Sequence, residues 1–143
     1  MIRVMGLDVG EVRIGVALSD PLGITAQRLA VIERTGSAED MAALRRLAEQ
    51  HGVTSIVVGL PLTMRGERGP QAQKVLAFAD TLRTALDLPV ELIDERLTTV
   101  QGARALRETG MRSRKQKTRI DQVAAQLILQ QFLDARPRET QAE

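Results

Sequence analysis

The 143-residue sequence has no cysteine, no tryptophan and no tyrosine, and it holds only two phenylalanines, Phe78 and Phe132, and one histidine, His51. Without cysteine there is no disulfide framework, no thiolate metal site and no cysteine nucleophile. So few aromatic rings argue against a base-stacking platform, so a nucleic-acid partner would be held by its backbone and shape. A lone histidine without thiolates also disfavours Zn²⁺. No apolar run is long enough to cross a bilayer, and Asp8 arrives too early for the apolar segment of a secretory signal. The expectation is a soluble cytoplasmic chain with no membrane partner.

What is present suits a compact domain, with 43% hydrophobic and 27% charged residues. Residues 1–134 read as a single domain and residues 135–143 as a polar tail. The net charge is only +2, but it is unevenly spread: residues 1–110 carry 13 basic and 14 acidic side chains, residues 111–143 carry 7 and 4. Within the basic end, "RSRKQKTR" (112–119) holds Arg112, Arg114, Lys115, Lys117 and Arg119 with no acid. Such a block reads either as a contact for a polyanion or as a solvated loop.

Hydrophobic patterning gives the element order. Residues 2–9 and 12–19 read as strands joined by a tight hairpin, and 27–34 as a third strand. Ser37 reads as the N-cap of a helix to His51 that buries Met41, Leu44, Leu47 and Ala48, with Gly52 ending it. Residues 54–60 form a buried-type strand, followed by the loop "PLTMRGERG". Pro70 opens a helix to Leu86 with Val75, Phe78, Ala79, Leu82 and Leu86 at helical spacing. Residues 90–94 read as the fifth strand, and a helix runs from Thr98 or Thr99 to Gly110. A last helix extends from about Thr118 to Leu133, with Ile120, Val123, Ala124, Leu127 and Ile128 inward. The implied fold is α/β: a mixed five-stranded sheet, three strands in an antiparallel meander and two parallel, with helices on both faces.

Acids then concentrate at strand ends, where open sheets of this kind build their sites. Asp8 lies within the first strand between Leu7 and Val9, an expensive place for a carboxylate unless something compensates it. Asp94 and Glu95 close the fifth strand, and Asp121 opens the last helix. Oxygen donors from several elements suit Mg²⁺ or Mn²⁺. A two-metal phosphoryl-transfer site clamps its ions roughly 3.5–4 Å apart with such carboxylates and requires no histidine base. Each acid also has a plainer reading. Thr118 and Asp121 spell a near capping box, Asp94 and Glu95 could pair with Arg96 or water, and Asp20 before Pro21 reads as a turn residue. Asp8 has the weakest plain alternative.

Asp8-x-Gly10 before a hairpin resembles the phosphate-binding hairpin of the actin, hexokinase and heat-shock chaperone superfamily. Those ATPases use a second such hairpin, and no second copy occurs here. Over nearly the whole chain, "GLDVGEVRIGVALSDPLGITAQ", "IVVGLPL", "GPQAQKV", "LPVELIDERLTT" and "DQVAAQLILQQFL" resemble, in order, the blocks of the YqgF/RuvX family, provisionally described as pre-16S rRNA nucleases and also as Holliday junction resolvases. The resemblance implies an RNase H-like fold, metal-dependent phosphodiester cleavage with Mg²⁺ or Mn²⁺, and catalytic, metal-holding acids at Asp8, Glu95 and Asp121, with Asp94 a further candidate ligand. Thr63 and Arg65 stand where relatives often carry a side-chain amide and an acid, and Arg65 and Arg68 are candidates for phosphate contact. The leading expectation is a nuclease acting on structured precursor rRNA, as a monomer or homodimer. The alternatives are a resolvase of four-way DNA junctions and a non-catalytic RNA-binding assembly factor.

Overall fold

The computed structural model describes residues 2–63, 65–95 and 114–136, and of residues 114–120 the backbone only. Five strands are present: β1 Val4–Val9, β2 Arg13–Ser19, β3 Ala26–Glu33, β4 Ser55–Leu60 and β5 Val90–Asp94. Three helices accompany them: α1 Ser37–His51, α2 Pro70–Leu86 and α3 Arg114–Ala135. The sheet order is β3-β2-β1-β4-β5. β1, β2 and β3 pair antiparallel, and β1–β4 and β4–β5 pair parallel. The expected mixed sheet is therefore the one observed. The helix expected between Thr98 and Gly110 lies outside the described residues.

Strand alternation divides the interior into two layers. Met5, Leu7 and Val9 of β1 and Ile56, Val58 and Leu60 of β4 pack with Met41, Leu44 and Ala48 of α1 and Val75, Phe78, Ala79 and Leu82 of α2. The opposite face carries Val4, Ala17, Ala26 and Val57 beneath Ala125, Leu129 and Leu133 of α3. Helices thus cover both faces, as the continuous apolar strands require.

Local chemistry sets most boundaries. Gly52 takes the left-handed conformation (φ 63°) that ends α1, and its N–H and that of Val53 close onto the last turn. Pro70 occupies the first turn of α2, where its missing N–H costs nothing. The N-cap of α1 is Gly36 and not Ser37, which falls inside the helix, and no side chain caps that end. α3 differs more. It begins at Arg114 and not near Thr118, so Arg114, Lys115, Lys117 and Arg119 lie in its first turns and not in a loop. Lys, Arg and Gln are good helix formers, and without an intervening Pro or Gly nothing stops the helix from extending backwards. Asp121 accordingly sits two turns into α3, and the Thr118–Asp121 pair is not its N-terminal box. The buried stripe of α3 is Asp121, Ala124, Ala125, Ile128, Leu129 and Leu133, while Val123 and Leu127 are only half-buried.

Candidate functional site

Asp8 points from β1 to the α3 face, because Val4, Gly6 and Asp8 alternate with the core-facing Met5, Leu7 and Val9. It is 1% exposed. Its cross-strand neighbour is Gly15 of β2. On the other side, one step beyond the Leu7–Val58 pair, β4 carries Gly59. Asp8 is therefore flanked by two residues without side chains on the face it occupies.

Other groups use that space. A methyl at Gly15 would run into the backbone carbonyl of Asp121, and one at Gly59 into the Glu95 carboxylate and the tip of Ile128. Gly15 lets α3 approach the sheet at Asp121, and Gly59 lets Glu95 fold in beside Asp8. Glu95 and Asp121 are 1% and 2% exposed. The sheet register thus brings Asp8, the Glu95 carboxylate and the α3 backbone at Asp121 to the part of one face where the strand order reverses between β1 and β4. Asp94 behaves differently. Its side chain is exposed, and its backbone carbonyl accepts a hydrogen bond from Gln131 Nε2 at 3.2 Å.

Burying three carboxylates calls for compensation, which hydrogen bonds, ion pairs within the fold or a bound cation each supply. The donor set is oxygen only, which suits a hard divalent ion. Among the described residues no three Asp, Glu, His or Cys side chains form a ready coordination group.

The 61–69 loop lies at the same edge, between β4 and α2. It folds on itself: Thr63 exchanges backbone bonds with Glu67 and Gly66, Thr63 Oγ1 accepts from the Glu67 N–H at 3.0 Å, and Gly66 supplies φ 83°. Thr63 is thereby used by the turn, and Arg65 and Arg68 remain exposed beside it. Arg114, Lys115, Lys117 and Arg119 follow the backbone of α3 toward Asp121, and Arg112 lies outside the described residues.

Two charged residues escaped the sequence reading. Arg34 Nε donates to Asp40 Oδ2 at 3.1 Å, and Asp40 is 2% exposed. Asp40 shares the buried stripe of α1 with Met41, Leu44 and Ala48. An acid at an apolar helical phase was the signal available.

This sheet order, with its antiparallel meander, parallel extension and two-sided helical cover, defines an α/β protein of the RNase H-like class. Solved structures share the fold, two of them as follows. RuvC of Thermus thermophilus, in complex with a Holliday junction substrate, superposes with a TM-score of 0.56 at 15% identity, covering 94% of this chain and 95% of that one. The fowlpox virus Holliday junction resolvase gives 0.52 at 11% identity, covering 94% and 100%. Sequence relationships are closer. A protein of Moorella thermoacetica provisionally named pre-16S rRNA nuclease is 54% identical over 132 residues, 92% of this chain and 94% of its own. A Chloroflexus aurantiacus protein of the same name is 53% identical over 133 residues, 93% and 87%. The family described as "RuvX: Holliday junction resolvase" matches residues 2–135, and the chain belongs to that family of nucleases.

Proposed function

We propose that the chain is a divalent-metal-dependent nuclease that hydrolyses phosphodiester bonds in structured RNA, in 5′-end maturation of pre-16S rRNA, as a single cytoplasmic domain. The observation that carries the reading is the burial of Asp8, Glu95 and Asp121 on one face of the sheet, around two glycines. Burying carboxylates costs stability, and a site that binds a cation recovers part of that cost.

In this reading Asp8, Glu95 and Asp121 hold Mg²⁺ or Mn²⁺, and Asp94, exposed, stays outside the set. A bound ion of this kind supplies activation of water and stabilisation of charge developing on the phosphate oxygens. The protein's own contribution is to fix the three carboxylates on rigid elements and to keep the pocket dry. Arg65 and Arg68 contact phosphates from the β4–α2 loop, and Arg112, Arg114, Lys115, Lys117 and Arg119 hold the backbone leading to Asp121. The near absence of aromatic rings agrees with recognition by backbone and shape.

The test offers precursor rRNA and a four-way DNA junction side by side, with Mn²⁺, Mg²⁺ or EDTA. The expected outcome is cleavage of the RNA with either metal and none in EDTA. Symmetric cutting of the DNA junction alone would make the chain a resolvase. Binding of RNA without cleavage under any metal would make it an assembly factor, and full cleavage in EDTA would sink the metal mechanism.

A further inference from the structure

Asp8 lies two residues before the β1–β2 turn, and that turn is held from behind by one residue. The backbone N–H of Arg34 donates to Val12 O at 2.9 Å, and its Nη1 donates to Gly10 O at 2.8 Å. Two carbonyls of the turn, Gly10 and Val12, therefore end on Arg34. The guanidinium is fixed in turn by Asp40 Oδ2 and by the Phe78 ring, whose centroid is 5.2 Å from Cζ. Asp40 Oδ1 also accepts from the Thr35 N–H at 3.1 Å, which locks the carboxylate that orients Arg34. A cleft of about 450 Å³ opens there, lined by Glu11, Arg34, Ser37, Asp40 and Lys74 among others. Further ties are the Gly10 N–H bond to Arg13 O, the Arg13–Glu33 pair at 3.2 Å and the exposed Lys74–Glu11 pair at 2.8 Å, surface ion pairs being a kind of contact that contributes little.

The turn matters because of what rides on it. Asp8 and Gly15 are register partners just behind it, and Gly15 is the contact point with the Asp121 backbone on the opposite face. Any sway of the turn changes the spacing between Asp8 and Asp121. We infer that Arg34, oriented by Asp40, is a positioning residue for the carboxylate site: its bonds to Gly10 O and Val12 O anchor the β1–β2 turn from the α1/α2 side and so fix the placement of Asp8 against α3 that ion binding needs. This rests on the reading of Asp8, Glu95 and Asp121 as the ion-holding group.

The test measures Mn²⁺ binding to the full chain by electron paramagnetic resonance, with thermal melts in EDTA, for the wild type, Arg34→Lys, Arg83→Lys and Asp8→Asn. Lysine keeps the charge beside Asp40 but cannot bond Asp40 and Gly10 in one plane over Phe78. Arg83 is the matched control. Its Nε and Nη2 both donate to Val90 O at the far end of β5, so Arg83→Lys removes similar bonds away from the site. The expected result is a 10–100-fold weaker Mn²⁺ affinity for Arg34→Lys, the range typical of residues behind metal ligands, with cleavage recovering as Mn²⁺ is raised. Arg83→Lys should melt lower yet bind Mn²⁺ as the wild type does. Unchanged Mn²⁺ affinity in Arg34→Lys, or equal losses in both arginine variants, would overturn the inference. Wild-type Mn²⁺ binding by Asp8→Asn would overturn the underlying site and the inference with it. Should Arg34→Lys fail to fold, Asp40→Asn is judged by the same criteria.

Discussion

The two faces of the sheet are built to different rules. Toward α1 and α2 the strands present Met5, Leu7, Val9, Ile14, Val16, Ile56 and Val58 to a continuous apolar layer. Toward α3 they present Gly6, Asp8, Gly15, Val57 and Gly59 to a helix whose own seam includes Asp121 and two alanines. Large side chains fill the first face, and its burial supplies stability. The second gives up side-chain volume so that α3 and Glu95 can approach, and it spends the space on carboxylates. The pleat of the strand separates the apolar layer from the buried acids: neighbouring residues Leu7 and Asp8 serve opposite faces.

The sharpest contrast is between those two kinds of residue. Asp8→Asn keeps the shape and removes the charge. Cleavage and Mn²⁺ affinity should fall by more than about 100-fold, beyond the usual reach of changes behind the ligands, while melting in EDTA stays level or rises because one of three crowded charges is gone. Leu44→Ala on the other face should show the reverse: a loss of about 2–5 kcal/mol in urea unfolding, with Mn²⁺ affinity of the folded protein unchanged. A strongly destabilised Asp8→Asn that still cleaves at the normal rate would mean Asp8 is a structural acid and would erase the distinction.

The glycines sharpen it within one face. A methyl at Gly15 meets α3 backbone, which cannot step aside without moving the helix; Gly15→Ala should cost about 1–3 kcal/mol and weaken Mn²⁺ binding together. A methyl at Gly59 meets the ends of Glu95 and Ile128 side chains, which can rotate. Gly59→Ala should therefore cost less than about 1 kcal/mol while displacing Glu95 and weakening Mn²⁺ binding. Urea unfolding with parallel Mn²⁺ titration reads both, and a Gly59→Ala protein with wild-type Mn²⁺ affinity would remove Glu95 from the set.

The comparison also explains how far the sequence could be read. The α1/α2 face was legible because burial there is apolar except at Asp40: the stripes of α1 and α2, with Leu47 and Leu86 half-buried at their margins, and all five strands follow from hydrophobic period, with ends within a residue or two. On the α3 face the same rule misleads. The helix was phased from its apolar residues, which placed Ala124 and Ile128 inward correctly, with Leu127 packed half-buried beside them; what that phase missed is that the buried stripe also runs through Asp121, an acid at a position the pattern assigns to a hydrophobe. Its start was misjudged because a basic run carries no cap signal. Asp8 was legible for the opposite reason, as a charge inside an otherwise apolar strand. Glu95 and Asp94 are adjacent, and only the strand's exit geometry tells the buried one from the exposed one. Arg34 and Asp40 meet across a strand-to-helix joint whose geometry no local pattern encodes.

The smallest effect belongs to the pole opposite the carboxylates, at the β2–β3 turn. Asp20 Oδ1 accepts from the backbone N–H groups of Ile24 and Thr25 at 2.7 and 3.0 Å. The Thr25 bond holds its carboxyl below the ordinary value, desolvation working against it and the Ile24 bond adding to it. A carboxyl with a depressed folded pKa stabilises the fold above the unfolded value of about 3.9, and that contribution fades as pH falls through the folded value. Asp20→Asn should therefore leave stability at neutral pH slightly lower and flatten its decline below about pH 4. It should not touch Mn²⁺ affinity, because the turn lies at the end of β2 away from Gly15. A carbon-13 titration that finds Asp20 at the ordinary carboxyl value would remove the acid effect. A change in Mn²⁺ affinity would show that the two ends of the sheet are coupled and that the carboxylate face does not stand apart from the rest of the fold.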